Sequence, residues 1–198
     1  MLDRPKPRPD RGFHDVLQGR RSALRGPVVW SDVAELLWHA MAYRGFADKG
    51  RAGLPIAWSA SPSSGGLQTV GVACILDDDS DVRLYDPAMH AFMVLPADRC
   101  AVHAKNIEAV VAVLGARRGC TLRLIGDWAK LSAAYENAET LLFRDAGCLI
   151  ATLCLCAEWL DLCACPLGFV GQDVVPLLGL PVDRFRAAGG VQISKLVE

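Results

Sequence analysis

The 198-residue sequence carries almost no net charge, with 21 Lys and Arg against 22 Asp and Glu. That balance offers no global attraction for nucleic acid or anionic lipid. It also has no run of roughly 18 consecutive apolar residues of the kind that spans a membrane. Residues 1–11, MLDRPKPRPDR, alternate proline with charge where an export signal would need an apolar stretch. They read as a flexible arm over 1–12, ahead of a single domain over 13–198. Without an export signal, the eight cysteines read as reduced and the protein as cytoplasmic. No internal repeat, Walker loop, G-x-G-x-x-G fingerprint or G-x-S-x-G elbow occurs. His14, His39, His90 and His103 share neither ligand nor triad spacing.

The pairs Cys154-x-Cys156 and Cys163-x-Cys165 raise the question of a metal. Positions i and i+2 on a helix point about 200° apart, and structural zinc sites place such pairs on turns. Small core residues account for them better, so no metal site is expected.

What is present is a 52% hydrophobic, 22% charged composition, which is globular. Its most distinctive stretch is residues 141–162. Between Asp145 and Glu158 it contains no charge, and a helix apolar all round is buried on every side, by other elements or by a partner subunit. Residues 163–169, Cys-Ala-Cys-Pro-Leu-Gly-Phe, read as a loop closed by Pro166 and Gly168.

Around this helix the spacing predicts a short helix over 13–19 and a longer one starting at the N-cap Ser31. The latter has Val33, Leu36, Leu37, Ala40 and Met41 on one face. Loops follow at 43–55 and 61–66. Strands are expected at 69–76, 82–85 and 91–95, the last two a hairpin around Asp86-Pro87, and at 120–125. Helices are expected over 98–116, where Val110 to Leu114 could equally be strand, and over 127–135, 173–178 and 182–187. Gly189-Gly190 would stop the last of these before a terminal strand at Val191 and Ile193. Strands do not alternate regularly with helices, so the class is α+β: a small, mainly antiparallel sheet surrounded by helices.

Two motifs suggest a phosphate-bearing ligand. Arg20-Arg21-Ser22 offers two guanidinium forks that match phosphate oxygens. Ser63-Ser64-Gly65-Gly66 allows backbone N–H groups to approach a ligand closely.

Taken in order, four blocks resemble the nitroreductase family of FMN-dependent oxidoreductases. They are Arg20-Arg21-Ser22; Ser61-Pro62-Ser63-Ser64-Gly65-Gly66-Leu67-Gln68; Tyr135 through Asp145-Ala146-Gly147 to Ala157-Glu158; and Pro166-Leu167-Gly168-Phe169. The branch most similar is the SagB-type dehydrogenases, which oxidise azolines in ribosomal peptide natural products. The resemblance implies a homodimer with FMN at the subunit interface and the long helix at that interface. It implies that Arg20, Arg21 and Ser22 hold the phosphate and ribityl chain or the pyrimidine edge. Ser63, Gly65, Gly66 and Gln68 would line the flavin. Pro166, Leu167 and Gly168 would lie against the isoalloxazine with a backbone N–H near N5, and Lys195 near the phosphate. The implied substrate is a small molecule or peptide, with NAD(P)H a candidate electron donor.

The chain departs from the family pattern in three places. Gly66 stands where many relatives have Asn. Asp161-Leu162-Cys163 replaces the Gly-Leu-Gly that ends the long helix. Ala134-Tyr135 stands where azoline oxidases carry Lys-Tyr, leaving Tyr135 as the candidate catalytic side chain. Two functions follow: an FMN-dependent oxidoreductase, or a non-catalytic scaffold or partner subunit with the same fold.

Overall fold

A computed structural model describes residues 2–6, 8 and 10–195. In chain order it has helices α1 (Phe13–Gly19) and α2 (Trp30–Met41), then a two-stranded hairpin of β1 (Gly45–Ala47) and β2 (Ile56–Trp58). Strands β3 (Val70–Leu76), β4 (Val82–Asp86) and β5 (Ala91–Val94) are followed by helix α3 (Arg99–Leu114) and strand β6 (Cys120–Asp127). Helices α4 (Trp128–Ala134) and α5 (Ala138–Trp159) precede β7 (Leu162–Leu167) and β8 (Phe185–Lys195). Six strands form one antiparallel sheet in the order β5-β4-β3-β6-β8-β7.

Period-two alternation divides β6 between two cores. Leu122 and Leu124 join Val72, Cys74, Val191 and Ile193 against α2 and α5, whose Leu36, Leu37, Leu142, Leu149 and Leu153 cover that face. Ile125 joins Ala73, Ile75, Val102 and Val175 on the opposite face, under α3. The α+β expectation holds, and α5 is its central helix.

The helix differs from the sequence reading in one respect. It buries Leu142, Asp145, Ala146, Leu149, Leu153, Cys154 and Ala157 but leaves Phe143, Gly147, Cys148 and Ala151 exposed. At 3.6 residues per turn the second set forms its own stripe, so the absence of a polar face does not mean burial on all sides within one chain. At 22 residues α5 is also longer than its uncharged run, and by length and composition it would pass for a membrane span. Its inner face packs on the sheet, and Asp145 on that face is bonded to Ser64 of a neighbouring turn, which makes it a core helix.

Other corrections have local causes. Residues 163–167 are not loop but most of β7, an edge strand paired only with β8, where proline is tolerated. Gly189 and Gly190 do not stop a helix; they lie inside β8, which begins at Phe185, so the expected helix at 182–187 is absent. Gly189 has φ 109° beside a register shift opposite Arg123 and Ile125, a conformation that favours glycine. The helix expected at 173–178 is two single 3-10 turns, Gln172–Val174 and Pro176–Leu178, divided by the proline. Helix α2 starts two residues earlier than a Ser31 cap would place it, with Val29 at the N-cap, and Asp32 accepts from the Val29 N–H at 3.1 Å. The loop at 43–55 contains β1 and a 3-10 turn.

The N-terminal segment makes specific contacts with the body. Leu2 N–H donates to the His90 carbonyl at 2.8 Å, and Arg8 forms a bidentate pair with Glu35 at 2.8 and 2.9 Å. Arg11 reaches Glu158 at 2.7 Å. His90 is buried between Tyr85 Oη, 2.8 Å from Nδ1, and the Asp3 carbonyl, 3.2 Å from Nε2. Burial pushes both His90 and His39 below the ordinary imidazole range; the Asp3 carbonyl opposes this for His90 and Glu35 does for His39. Their folded-state pKa values are thus depressed, and the unfolded chain takes up protons first as pH falls. Their contribution is fully present above about pH 6.5 and is lost on acidification through that value. Thermal melts at pH 7.5 and 5.5 should show a lower midpoint in acid, with a smaller drop in His90→Gln. An equal drop in that variant would refute a role for His90.

Candidate functional site

Helix α5 carries two clusters of the residues singled out from the sequence, one towards each end. At the N-terminal end, Asp145 lies on the inner face, 6% exposed. Its carboxylate accepts from the Ser64 N–H at 2.9 and 3.0 Å and from Ser64 Oγ at 2.8 Å. Hydrogen bonds to an ionised acceptor are short and strong, and this set fixes the start of a 3-10 turn, Ser64–Gly66. Gly65 and Gly66 follow at φ 58° and 72°.

The turn is tied down on its other sides as well. Ser63 Oγ accepts from the Gln68 N–H at 3.1 Å. The Gln68 side chain donates through Nε2 to the Ala57 carbonyl at 3.2 Å and accepts from Ser59 Oγ at 3.3 Å. Lys130 Nζ donates to the Leu67 carbonyl at 2.6 Å, and burial pushes the lysine pKa down against the opposing charge of Asp127. A cavity of about 10 Å³, room for about one water, separates Ser61, Ser63 and Gln68 from Asp145 and Leu149. Ser63, Gly65, Gly66 and Gln68 are thus brought together.

At the other end, α1 packs against α5 and stops at Arg20. Burial pushes the thiol of Cys154, on α5, up, and the charge of Arg20 opposes it. Arg20 follows Gly19, which approaches Glu158 near the C-terminal end of α5, the helix that also packs on β7. Arg21 folds back, donating to the carbonyls of Gln18 at 2.6 Å and Arg20 at 2.9 Å, while Ser22 is exposed. Ser194 Oγ accepts from the Arg25 N–H at 3.0 Å, and Lys195 Nζ pairs with Asp32 at 2.9 Å. Burial raises the Cys163 thiol, and Arg25 opposes it. Pro166 and Gly168 are exposed and Leu167 is buried; a Cβ built on Gly168 would meet nothing within 4 Å. The backbone at Gly168 is open to a ligand.

Asp161 takes the left-handed conformation itself, φ 59°, where a glycine would serve the helix stop. Its carboxylate turns to Arg11 at 3.5 Å.

The two clusters do not meet within one chain. Nine residues separate Asp145 from Cys154, about 13 Å along a helix axis. Tyr135 belongs to neither. It ends α4, packs against the main core beside Ala134, and lines a hollow of about 670 Å³ with Glu136, Asn137 and Arg144.

Asp145 is a residue of the site that the sequence motifs alone do not single out. The signal was present: Leu142, Asp145, Ala146 and Leu149 share helical spacing, which puts a lone carboxylate on the core face. Such a group needs donors, and Ser64 supplies them.

No family model and no curated protein matches the sequence. Solved structures match it through their fold. A structure described as a nitroreductase from Ralstonia eutropha is 18% identical, with a TM-score of 0.70 over 100% of this chain and 96% of that one. A nitroreductase from Desulfovibrio desulfuricans in complex with FMN is 18% identical, TM-score 0.60, over 96% and 89% of the two chains. The Escherichia coli microcin synthetase McbBCD complex, with truncated pro-MccB17 bound, has a chain 14% identical with a TM-score of 0.65, over 100% of this chain and 78% of that one. At these identities the likeness is one of architecture: the chain has the nitroreductase fold.

Proposed function

We propose that the protein is an FMN-dependent oxidoreductase of nitroreductase type, acting as a cytoplasmic homodimer on a small-molecule or peptide substrate. The observation that carries this reading is the pair of clusters at opposite ends of α5, separated by an exposed apolar stripe. A two-fold interface applies the same patch of both copies to each other. Packing α5 antiparallel on its copy brings the Ser63–Gln68 turn of one subunit towards the Arg20 and Gly168 face of the other. The clusters that cannot meet in one chain then form two equivalent sites.

The donor set fits a flavin mononucleotide. Arg20 and Ser22 offer a guanidinium and an exposed hydroxyl for the phosphate and ribityl chain. Gly168 leaves a bare backbone face for a flat ring, and the glycine turn with Ser63 and Gln68 lines the ring from the other subunit. FMN, when bound, supplies hydride acceptance and donation at N5, while the protein binds, orients and tunes it. The exposed Gly168 backbone would hold the ring, and its N–H is the donor that the family resemblance places near N5. The apolar stripe of α5 and the buried Leu167 exclude water from the covered side. Tyr135 is the residue proposed to move a proton to or from substrate. A SagB-type role in peptide tailoring is the finer proposal, supported by the blocks quoted from the sequence and by the fold likeness to a chain of the microcin synthetase complex. In an azoline oxidation of that type the substrate itself would reduce the flavin and an external two-electron acceptor would reoxidise it, whereas in a nitroreductase-type reduction NAD(P)H would be the electron donor.

The first test is the visible spectrum of the purified protein, with the released chromophore identified. A yellow protein carrying about one FMN per subunit is expected. A colourless protein that takes up no added FMN would overturn the reading. It would favour the non-catalytic scaffold, for which one observation speaks: Arg21 and Lys195 already hold partners within the chain.

That observation also ranks the phosphate residues. Arg20→Ala together with Arg21→Ala should weaken FMN binding by about 10- to 100-fold, the scale of one or two charge-assisted contacts. Arg20→Ala alone should account for most of it, because Arg21 is spent on carbonyls. Titration of apoprotein with FMN checks this, and unchanged affinity in the double variant sinks the phosphate assignment.

A further inference from the structure

One buried cation in this fold has no anion. Arg123, in the middle of β6, is 2% exposed. Its Nε donates to Asn106 Oδ1 on α3 at 2.9 Å, and its Nη2 has no acceptor. Among the described residues no carboxylate lies within ion-pair distance of it. Burial lowers its pKa to about 10, against the distant charge of Asp173, so it remains a cation at neutral pH.

Asn106 is oriented from below by hydrogen bonds that all run one way. Its Nδ2 donates to Thr121 Oγ1 at 2.7 Å, Thr121 Oγ1 donates to Gln192 Oε1 at 2.6 Å, and Gln192 Nε2 donates to the Arg118 carbonyl at 2.7 Å. Aligned donors polarise one another and present the Asn106 oxygen, not its amide, to the guanidinium. On the other side the Phe169 ring lies over Arg123, Cζ being 4.2 Å from the ring centroid. Gly190, paired with Arg123 across the sheet, makes room: a Cβ there would lie 3.4 Å from Phe169 and 3.1 Å from the Leu122 carbonyl. Gly171, at φ 81°, passes so close that a Cβ would come within 2.6 Å of Arg123 Nη1.

A buried charge without a partner is costly, and an apolar residue of similar volume is commonly no worse for stability. Core packing alone therefore gives no reason for an arginine here. A buried planar cation stacked on a half-buried ring does have a consequence, because it fixes that ring in place. Phe169 is the residue directly after Pro166-Leu167-Gly168.

We infer that Arg123 is a positioning residue: by clamping Phe169 from beneath, it fixes the exposed backbone of residues 168–171 in the orientation that receives the cofactor. The clamp itself is independent of the proposed function; only the identity of what Gly168 faces rests on the flavin reading.

The test uses Arg123→Met and, as a second variant, Arg123→Met with Asn106→Leu, which removes both members of the contact without stranding the Asn106 oxygen. Amide hydrogen exchange is followed in the flavin-free protein, and FMN titration in the same preparations. Exchange at the Gly189 and Val174 amides, which donate to the Val170 and Gly171 carbonyls of the 168–171 segment at 3.2 Å each, should rise about tenfold or more while β3 is unchanged, and FMN should bind about tenfold more weakly. The double variant should melt no lower than wild type, a result that a purely structural role for Arg123 would not give. Arg123→Lys, which keeps the charge but not the planar face, should recover only part of the protection. Unchanged exchange at Gly189 and Val174 in both Met variants overturns the inference. Faster exchange with unchanged FMN affinity overturns its cofactor half. A wild-type protein that takes up no FMN overturns the flavin reading instead, and exchange still decides the role of Arg123.

Discussion

Ala151→Arg, a single substitution on the outer face of α5, is expected to give a folded monomer that binds FMN at least 100-fold more weakly than wild type. Ala151 is exposed, as are Gly147, Cys148 and Phe143 on the same stripe, so an arginine there meets no obstacle within one chain and the circular dichroism should not change. The small residues Gly147, Cys148 and Ala151 let a second helix approach closely, and Phe143 adds apolar area beside them. In a two-fold interface the substitution counts twice, and near the axis the two arginines face each other. An unpaired charge desolvated at the centre of such a contact costs several kcal/mol, enough to dissociate an interface of ordinary size. Cofactor loss follows because neither subunit alone unites the Ser63–Gln68 turn with the Arg20 and Gly168 face. Ala112→Arg, exposed on α3, controls for the added charge. Light scattering and FMN titration read the result. A variant that stays dimeric, or a monomer that keeps its flavin, would remove α5 from the interface.

What the sequence made legible follows from periodicity. The spacing of Val33, Leu36, Leu37, Ala40 and Met41 marks α2, alternation marks β3 and β6, and the charge-free stretch marks α5. Each is a local pattern that the tertiary fold does not override. The errors cluster where pairing decides structure. Cys163-Ala164-Cys165-Pro166-Leu167 has proline and small residues that suit a loop, yet β8 offers it a free edge, and residues on an edge strand can include proline. Gly189-Gly190 looks like a stop signal but serves a bulge and the close approach of Phe169 to Arg123. The candidate site divides in the same way. Its loops were found from residue types that free the backbone. The groups that hold those loops, Asp145 under Ser64 and Arg123 under Phe169, come from elements 81 and 46 residues away in sequence respectively, and spacing cannot report such contacts.

Asp145→Ala tests the stronger of those two supports. The change leaves the Ser64 N–H and hydroxyl, both facing the core side of the turn, without the acceptor that now takes three bonds from them. Stranding buried donors costs about 1–3 kcal/mol, more when the lost partner was charged. A loss of about 3 kcal/mol is therefore expected, or a fall in melting temperature of roughly 6–12 °C for a domain of this size. Asp145→Asn keeps one carbonyl oxygen but turns an amide towards the Ser64 N–H, so it should recover no more than part of the loss. Ser64→Ala removes only the hydroxyl bond and should cost about 1 kcal/mol. In the double variant the losses should not add, because both changes act on one contact. The melts are compared at a single protein concentration and without FMN, since dimerisation and ligand both shift the midpoint by mass action. FMN affinity should fall in the same order, Asp145→Ala furthest, because a turn that has lost its anchor must be ordered by the cofactor itself. If Asp145→Ala melts within 1 °C of wild type, the carboxylate does not hold the turn, and the glycine loop keeps its shape without α5.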